Sequence, residues 1–338
     1  MSALTVSVII PTYNRAHLVT RAIDSALGQI VPGDEIIVVD DGSRDDTQAV
    51  LRSRYGQDLR YIQTTTAGAG AARNRGVRDA RCDLVAFLDS DDEWMPNKLD
   101  LCRRVLEARP DVLFCFSNMA ATMPDGTEVR NYLRFWHNDP RSWDEILGPG
   151  VPFSSIATLP IGSGDFLVHV GNIYRQMAHA IYVFTSTVVV KRRECGNALH
   201  FEEDIPTYED WICYGRIAKR GLAAYLGVET AWQHGSDGPR LTDADALTTS
   251  VTRMKILERL WGTDPEFMGH NGEMYDRLYN EQRLRRLRSL LAQGAVADAR
   301  AELRHCRHVP MLYRLLAAVP GSVVQAIVRA RRRRGDSE

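Results

Sequence analysis

The stretch Leu84-Val-Ala-Phe-Leu-Asp-Ser-Asp-Asp92 decides how the rest of the chain is read. A short apolar run stops abruptly at three carboxylates, Asp89, Asp91 and Asp92. Apolar runs of about four to eight residues bounded by breakers suit a strand of a parallel sheet, covered on both faces. Acids gathered where such a strand stops lie at its carboxyl end, where open α/β sheets bind ligands. These three carboxylates repel one another unless something cationic sits between them. A divalent ion held by hard oxygen ligands, its shell completed by a substrate phosphate, meets that need. Taken alone, the run reads more simply as a solvated acidic turn. Its flanks reverse that reading.

Strand and helix signals alternate through the first third. Residues 6–10 read as a strand stopped by Pro11, and Leu18, Val19, Ala22, Ile23, Ala26 and Leu27 then recur at helical spacing. Residues 35–40 form a second apolar strand ending in Asp40 and Asp41, with a turn at Gly42 and Ser43 and a helix over 45–54. A third strand is expected at 59–63, a helix from near Ala71, and another over 97–108. This alternation predicts βαβ units and a largely parallel sheet, hence the α/β class. Three strands then deliver polar clusters at their carboxyl ends: Pro11-Thr-Tyr-Asn-Arg15, Asp40-Asp-Gly-Ser43 and Asp89-Ser-Asp-Asp92. Solvation alone does not produce that coincidence.

From about 117 to 184 the chain is irregular and rich in Pro, Gly and aromatics, with loops and some helix expected to shape a pocket. Residues 180–190 read as one strand or two, and Tyr208-Glu-Asp-Trp211 opens a helix ended by Gly221. A strand over 222–228 leads to Trp232-Gln-His-Gly-Ser236, and helices are expected over 244–261, 271–292, 295–306 and from Pro310.

The chain has 338 residues, 44% of them apolar, and a formal net charge of −1, which disfavours a polyelectrolyte role; nucleic acid is disfavoured as a partner because the basic residues do not interleave with stacking aromatics. Six cysteines without a C-x-x-C pair suit buried thiols in a reducing compartment. No basic n-region precedes the first strand, and no apolar stretch approaches the roughly 20 residues of a spanning helix, so a cytoplasmic location is expected. Arg329, Arg331, Arg332, Arg333 and Arg334 make the tail basic. It suits peripheral contact with an anionic inner membrane, or equally a packed terminal helix with a solvated end.

In order along the chain, Val8-Ile-Ile-Pro-Thr-Tyr-Asn14, Val38-Val-Asp-Asp-Gly-Ser-Arg-Asp-Asp-Thr47, Gly70-Ala-Ala-Arg-Asn-Arg-Gly76, Phe87-Leu-Asp-Ser-Asp-Asp92 and Tyr208-Glu-Asp-Trp211 resemble glycosyltransferase family 2. The resemblance reaches to about residue 235. It implies a GT-A fold, a Rossmann-like and mostly parallel central sheet flanked by helices, here with a helical C-terminal extension. Residues 1–116 then form the nucleotide-sugar-binding half, 117–240 the acceptor half with the catalytic base, and 241–338 the extension and basic tail. The implied activity is metal-dependent, inverting transfer of a sugar from a nucleotide-diphosphate sugar to an acceptor hydroxyl. Surface polysaccharide, lipopolysaccharide or other glycoconjugate synthesis is the implied setting.

Within that frame Pro11, Thr12 and Tyr13 meet the nucleotide, with Tyr13 stacking on the base or serving only as a turn residue. Asp40 or Asp41 accepts from a uracil N–H. Arg73, at a helix start, meets base or phosphate, or is an exposed helix arginine. Asn74 and Gly76 serve packing and close approach. Asp89 faces the ribose with Ser90 beside it, Asp91 coordinates Mn²⁺ or Mg²⁺, and Asp92 stands as a third acid. His234 matches a histidine completing the metal or diphosphate shell, although a lone histidine is commonly structural; an imidazole ligand tilts the choice toward Mn²⁺. Asp210 matches the family's catalytic base, or complements a helix dipole.

Processive members carry a Q-x-x-R-W motif, whereas Gln233-His-Gly-Ser236 and Gln282-Arg-Leu-Arg285 lack the tryptophan, so one sugar per encounter is expected. A UDP-sugar is the favoured donor and a saccharide or lipid-linked molecule the acceptor, with Trp136, Trp143 and Phe153 either stacking on sugar or filling core. Two alternatives stand beside this reading: a catalytically degenerate nucleotide-sugar-binding or scaffolding protein, and a nucleotidyltransferase. The latter wants a glycine- and lysine-rich loop where Thr12-Tyr-Asn-Arg15 stands. A dinucleotide oxidoreductase lacks its G-x-G-x-x-G.

Overall fold

Val6, Val8, Ile9 and Ile10 have no exposed surface, and neither have Leu84, Val85, Ala86 and Phe87. Strands covered on both faces lose the alternation of a half-buried strand, which explains their uninterrupted apolar sequence. The computed structural model describes residues 3–205, 207–234 and 245–324. The chain divides into two compact units, 1–239 and 240–338.

The first unit is built on strands β1 (Val6–Thr12), β2 (Glu35–Asp40), β3 (Arg60–Gln63), β4 (Leu84–Phe87), β5 (Asp92–Trp94), β6 (Val112–Thr122), β7 (Glu128–Val129), β8 (Val151–Pro152), β9 (Leu167–Gly171), β10 (Val189–Lys191) and β11 (Leu222–Gln233). Their order is β3-β2-β1-β4-β10-β6-β11-β9-β8, with β5 on β11 and β7 on β6. The first four strands are mutually parallel, β10 runs antiparallel between β4 and β6, and β6 and β11 are parallel again. Helices α1 (Val19–Leu27), α2 (Thr47–Tyr55), α3 (Ala69–Asp79) and α4 (Lys98–Ala108) make the connections. This is the mostly parallel α/β sheet the sequence predicted. From β1 the chain moves outward to β2 and β3, then returns across β1 to form β4. Beyond the carboxyl ends of β1 and β4 such a reversal leaves a crevice.

Strand β11 runs on to Gln233, past the expected 222–228, and β5, β7, β8 and β9 were not expected; three further departures have a clear local cause. Strand β1 continues through Pro11 to Thr12, paired with Val39 and Asp40. The Ile9 carbonyl accepts Leu88 N–H, so Pro11, two residues on, faces past the last residue of β4 where no ladder bond is owed. Strand β6 runs into the stretch read as irregular. Its buried Ser117 and Asn118 masked it, although Ser117 Oγ lies 2.6 Å from Thr230 Oγ1 and Asn118 Oδ1 accepts Met119 N–H. Residues 180–190 hold only β10, preceded by a 3-10 turn, Thr185–Thr187.

The second unit is helical: Ala246–Ile256, a π-helical turn Leu257–Gly262, Pro265–Gln293 with non-helical backbone at Asn271, Val296–Leu303 and Met311–Ala318. Asp264 caps the long helix with Pro265 in its first turn, and Gly294 (φ 77°) ends it. Leu287, Leu290, Leu291, Val296, Ala299 and Ala317 form its core. No helix among the described residues is long and apolar enough to cross a membrane. The arginine-rich tail lies outside the described residues.

Helix α3 packs against β1 through Gly76, where a Cβ would stand 2.5 Å from Cγ2 of the fully buried Ile9. Gly76→Ala should therefore destabilise the chain by about 1–3 kcal/mol, the usual cost of overpacking. Urea unfolding checks this, and an unchanged midpoint would show that α3 is free to shift.

Candidate functional site

The acids at the end of β2 organise loops. Asp40 has no exposed surface; its carboxylate accepts Ser43 N–H at 2.7 Å and the Tyr61 hydroxyl. Asp41 accepts from Ala67 N–H, Gly68 N–H at 2.8 Å and Thr64 Oγ1, and so shapes the turn into α3. Beyond β1, Asn14 adopts the left-handed conformation (φ 51°). Its N–H donates to Ser43 Oγ and its Oδ1 accepts Arg44 N–H, both at 2.8 Å. These bonds lock the tips of β1 and β2 together. Tyr13, next to Asn14 at the tip of β1, is 42% exposed. Pro11 and Thr12 are buried, and Thr12 Oγ1 has no hydrogen-bond partner among the described residues.

Beyond β4 the three acids diverge. Asp89 accepts from Arg73 Nη2 at 2.6 Å, and its N–H donates to Ser186 Oγ. Asp91 Oδ2 takes Arg15 Nη1 at 3.2 Å, while its carbonyl accepts Arg21 Nη2 at 2.8 Å. Asp92 is buried in β5 and receives the Ser186 hydroxyl, so the third acid of the run is turned inward. Ser90, between them, is buried. In β11 Gln233 pairs with Asp92 antiparallel, and His234 follows it. Its Nε2 lies 2.8 Å from Glu93 Oε2.

Arg73 is not an exposed helix arginine. Its guanidinium is buried between Asp89, at 2.6 Å, and Glu209, at 2.5 Å. Asn74 on the same helix donates to Phe201 O and accepts Phe201 N–H, and a Cβ at Gly70 would lie 3.2 Å from Glu202 O. The Gly70–Gly76 run thus docks the segment that carries Glu209 and Asp210. Tyr208 just ahead has φ 65°. For a bulky residue this costs about 1–3 kcal/mol and persists only where the surroundings over-determine it. The helix Glu209–Arg220 follows at once.

Asp210 accepts from Thr185 Oγ1 at 2.9 Å and from Trp211 N–H at 2.8 Å. It lies deep but retains some exposed surface. Burial raises its pKa above the ordinary aspartate value; the Arg73 charge and the Thr185 hydroxyl oppose the rise, and the Asp89 charge adds to it. Burial likewise raises Glu209, against the pull of Arg73. Asp89 and Asp210 therefore act on one another electrostatically across one site. Arg21, Thr185 and Ser186 were missed in the sequence, and Arg15 stood in the cluster after the first strand without a role. The two hydroxyls come from a short turn without periodicity, and the two arginines are identified by what they reach, not by spacing. Of the aromatics considered for an acceptor, Phe153 is fully buried and Trp143 stacks on Tyr225 at 3.7 Å, whereas Trp136 meets Phe184 edge-on.

Among the described residues no three His, Cys, Asp or Glu side chains gather to hold a metal by themselves. Mg²⁺-type sites serving diphosphates use one or two carboxylates and complete their shell with substrate oxygens and water. Asp91, a quarter exposed and already drawing a guanidinium, has the chemistry for such a shared ion, and His234 follows the β11 residue that pairs with Asp92.

Residues 7–157 match the family model Glycosyl transferase family 2. The chain is 42% identical over 95 residues to an uncharacterized glycosyltransferase of Rickettsia prowazekii, covering 28% of this chain and 30% of that protein. It is 38% identical over 99 residues to chondroitin synthase of Escherichia coli, covering 29% of this chain and 14% of that protein. The matched stretches span less than a third of either relative's length. In fold it is similar to S. aureus TarS 1–349 in complex with UDP-GlcNAc, with TM-score 0.57, 19% identity, and 83% of this chain and 72% of that chain covered. A further crystal structure of TarS 1–349 gives TM-score 0.54 at 20% identity, over 83% of this chain and 71% of that one. At these identities the likeness establishes the fold, the expected GT-A arrangement.

Two stability outcomes follow from the charges. Arg73→Met leaves Glu209 buried without its counter-charge and should cost about 3–5 kcal/mol in urea unfolding, while Arg73→Met combined with Glu209→Gln should recover much of it. Because the folded-state pKa of Asp210 is raised, its contribution to stability is complete below about pH 4 and is lost as pH rises through the raised value. Asp210→Asn, which cannot ionise, should therefore gain in Tm over the parent as pH increases from about 4 to 8. A constant difference across that range would mean that the carboxyl titrates normally.

Proposed function

We propose that this chain, whose residues 7–157 match the family 2 glycosyltransferase model, moves one sugar, with inversion, from a nucleotide-diphosphate sugar to an acceptor hydroxyl. The observation that carries the reading is the buried bridge Asp89–Arg73–Glu209, which ties the acids beyond β4 to the helix bearing Asp210. A UDP-sugar is the favoured donor, supported by the UDP-GlcNAc and UDP complexes of the structurally similar TarS. Tyr13 stacks on the base, while Pro11 and Thr12 form the floor beneath it. Of the two acids read as partners for the base, Asp41 keeps a little exposed surface and presents a remaining lone pair to the base edge, while the fully buried Asp40 holds the turn behind it. Arg73 holds Asp89 in place for the ribose, with Ser90 alongside.

Asp91 and His234 would hold Mn²⁺ or Mg²⁺. When bound, such an ion supplies charge stabilisation for the departing diphosphate. Thr185 fixes the orientation of Asp210, and Asp210 takes the proton from the attacking acceptor hydroxyl. Its raised pKa makes it a stronger base than an ordinary aspartate. Attack from the face opposite the leaving group inverts the anomeric centre. The absence of Q-x-x-R-W at the two glutamines supports release after one transfer. A glycoconjugate of the cell surface is the proposed product class, and the basic tail would suit a lipid-linked acceptor at a membrane.

Incubating the chain with UDP-sugars, Mn²⁺ and saccharide acceptors tests this. Transfer should add a single sugar, should fall on chelation, and should drop about 10²–10⁴-fold in Asp210→Asn. Undiminished turnover in that variant, or a ladder of products, would refute the mechanism.

A further inference from the structure

We infer that Arg15 keeps the cation's place on Asp91 in the donor-free protein and passes to the donor's diphosphate when metal and nucleotide bind together, a role that rests on the reading above. The guanidinium stands 3.2 Å from Asp91 Oδ2, and the two side chains are 26% and 25% exposed. An ion pair so exposed is weak and readily exchanged. Arg15 can let go without disturbing the fold, because its backbone is fixed: its carbonyl accepts Leu18 and Val19 N–H, both at 2.9 Å, at the start of α1. The preceding Asn14 is held by Ser43 and Arg44. Only the side chain has to swing.

Arg21 plays the complementary part. Its bond to the Asp91 carbonyl, at 2.8 Å, steadies the acid's backbone whatever its carboxylate holds. While Arg15 sits on Asp91, repulsion among the acids beyond β4 is relieved. A metal ion arriving alone displaces Arg15 and leaves that guanidinium without an anion. With a diphosphate present, Arg15 exchanges one anion for another, and its planar fork suits phosphate oxygens. Arg15 therefore couples the two ligands, each strengthening the other by the same factor, as linkage requires.

The test is Mn²⁺ titration of the full chain by electron paramagnetic resonance, with and without UDP, and UDP titration by calorimetry in Mn²⁺. Arg15→Gln should tighten Mn²⁺ alone by about two- to five-fold, the release expected from losing a part-exposed pair. The same variant should weaken UDP in the presence of Mn²⁺ by about five-fold or more, a typical coupling factor. Arg15→Lys keeps the charge without the fork and should fall between; it also serves as the test variant should the glutamine variant not fold. Opposite signs for the two ligands support the inference. Mn²⁺ and UDP weakening together, or neither changing, overturns it while the proposed function stands. A parent chain that binds neither ligand overturns both.

Discussion

A single buried guanidinium holds the site together. Arg73 has almost no exposed surface, yet it lies within hydrogen-bond distance of Asp89 and Glu209, residues far apart in sequence. Removing a charge from water is expensive, and two carboxylates bonded at short range are what offset that cost. The same bonds determine geometry, since the planar fork of arginine has fixed donor directions. The acid run beyond β4 and the strained helix start at Tyr208 therefore cannot drift apart independently. Asn74, two-way bonded to the Phe201 backbone, reinforces the tie from the next residue of the same helix.

This explains why so many polar residues at the sheet's carboxyl edge are bonded to protein. Asp40 and Asp41 fasten loops, Asp92 anchors Ser186, and Asn14 joins two strand tips. A ligand site on loops has to be made rigid by something, and here backbone N–H groups and hydroxyls do it. Tyr13 differs from these, a large ring left 42% exposed beside fixed neighbours.

The first third of the fold was legible because its strands are apolar without interruption and its turns are acidic or glycine-rich. Pro11 misled only by a residue or so, because its missing donor faces past the end of β4. Strand β6 was hidden by Ser117 and Asn118, whose polar groups are satisfied internally, one across to Thr230 on the neighbouring strand. The acids of the site could be read as acids, but not their separate duties. Asp89, Asp91 and Asp92 follow closely in sequence and yet turn toward Arg73, Arg15 and Ser186. Those partners come from three different parts of the chain, and no local pattern encodes them.

The division of labour among these carboxylates follows from exposure and partner. Asp92 is buried and bonded to a neutral hydroxyl, which suits a structural role. Asp89 is held by a buried arginine that cannot leave without stranding Glu209, so its position is permanent. Asp91 takes a part-exposed arginine, a pair of the weak and readily exchanged kind. Asp210 is bonded to a hydroxyl and a backbone N–H, and burial raises its affinity for a proton. On the proposed function, a fixed acid, an exchangeable acid and a basic acid are the set that binding a sugar donor, balancing its diphosphate and accepting a proton would require.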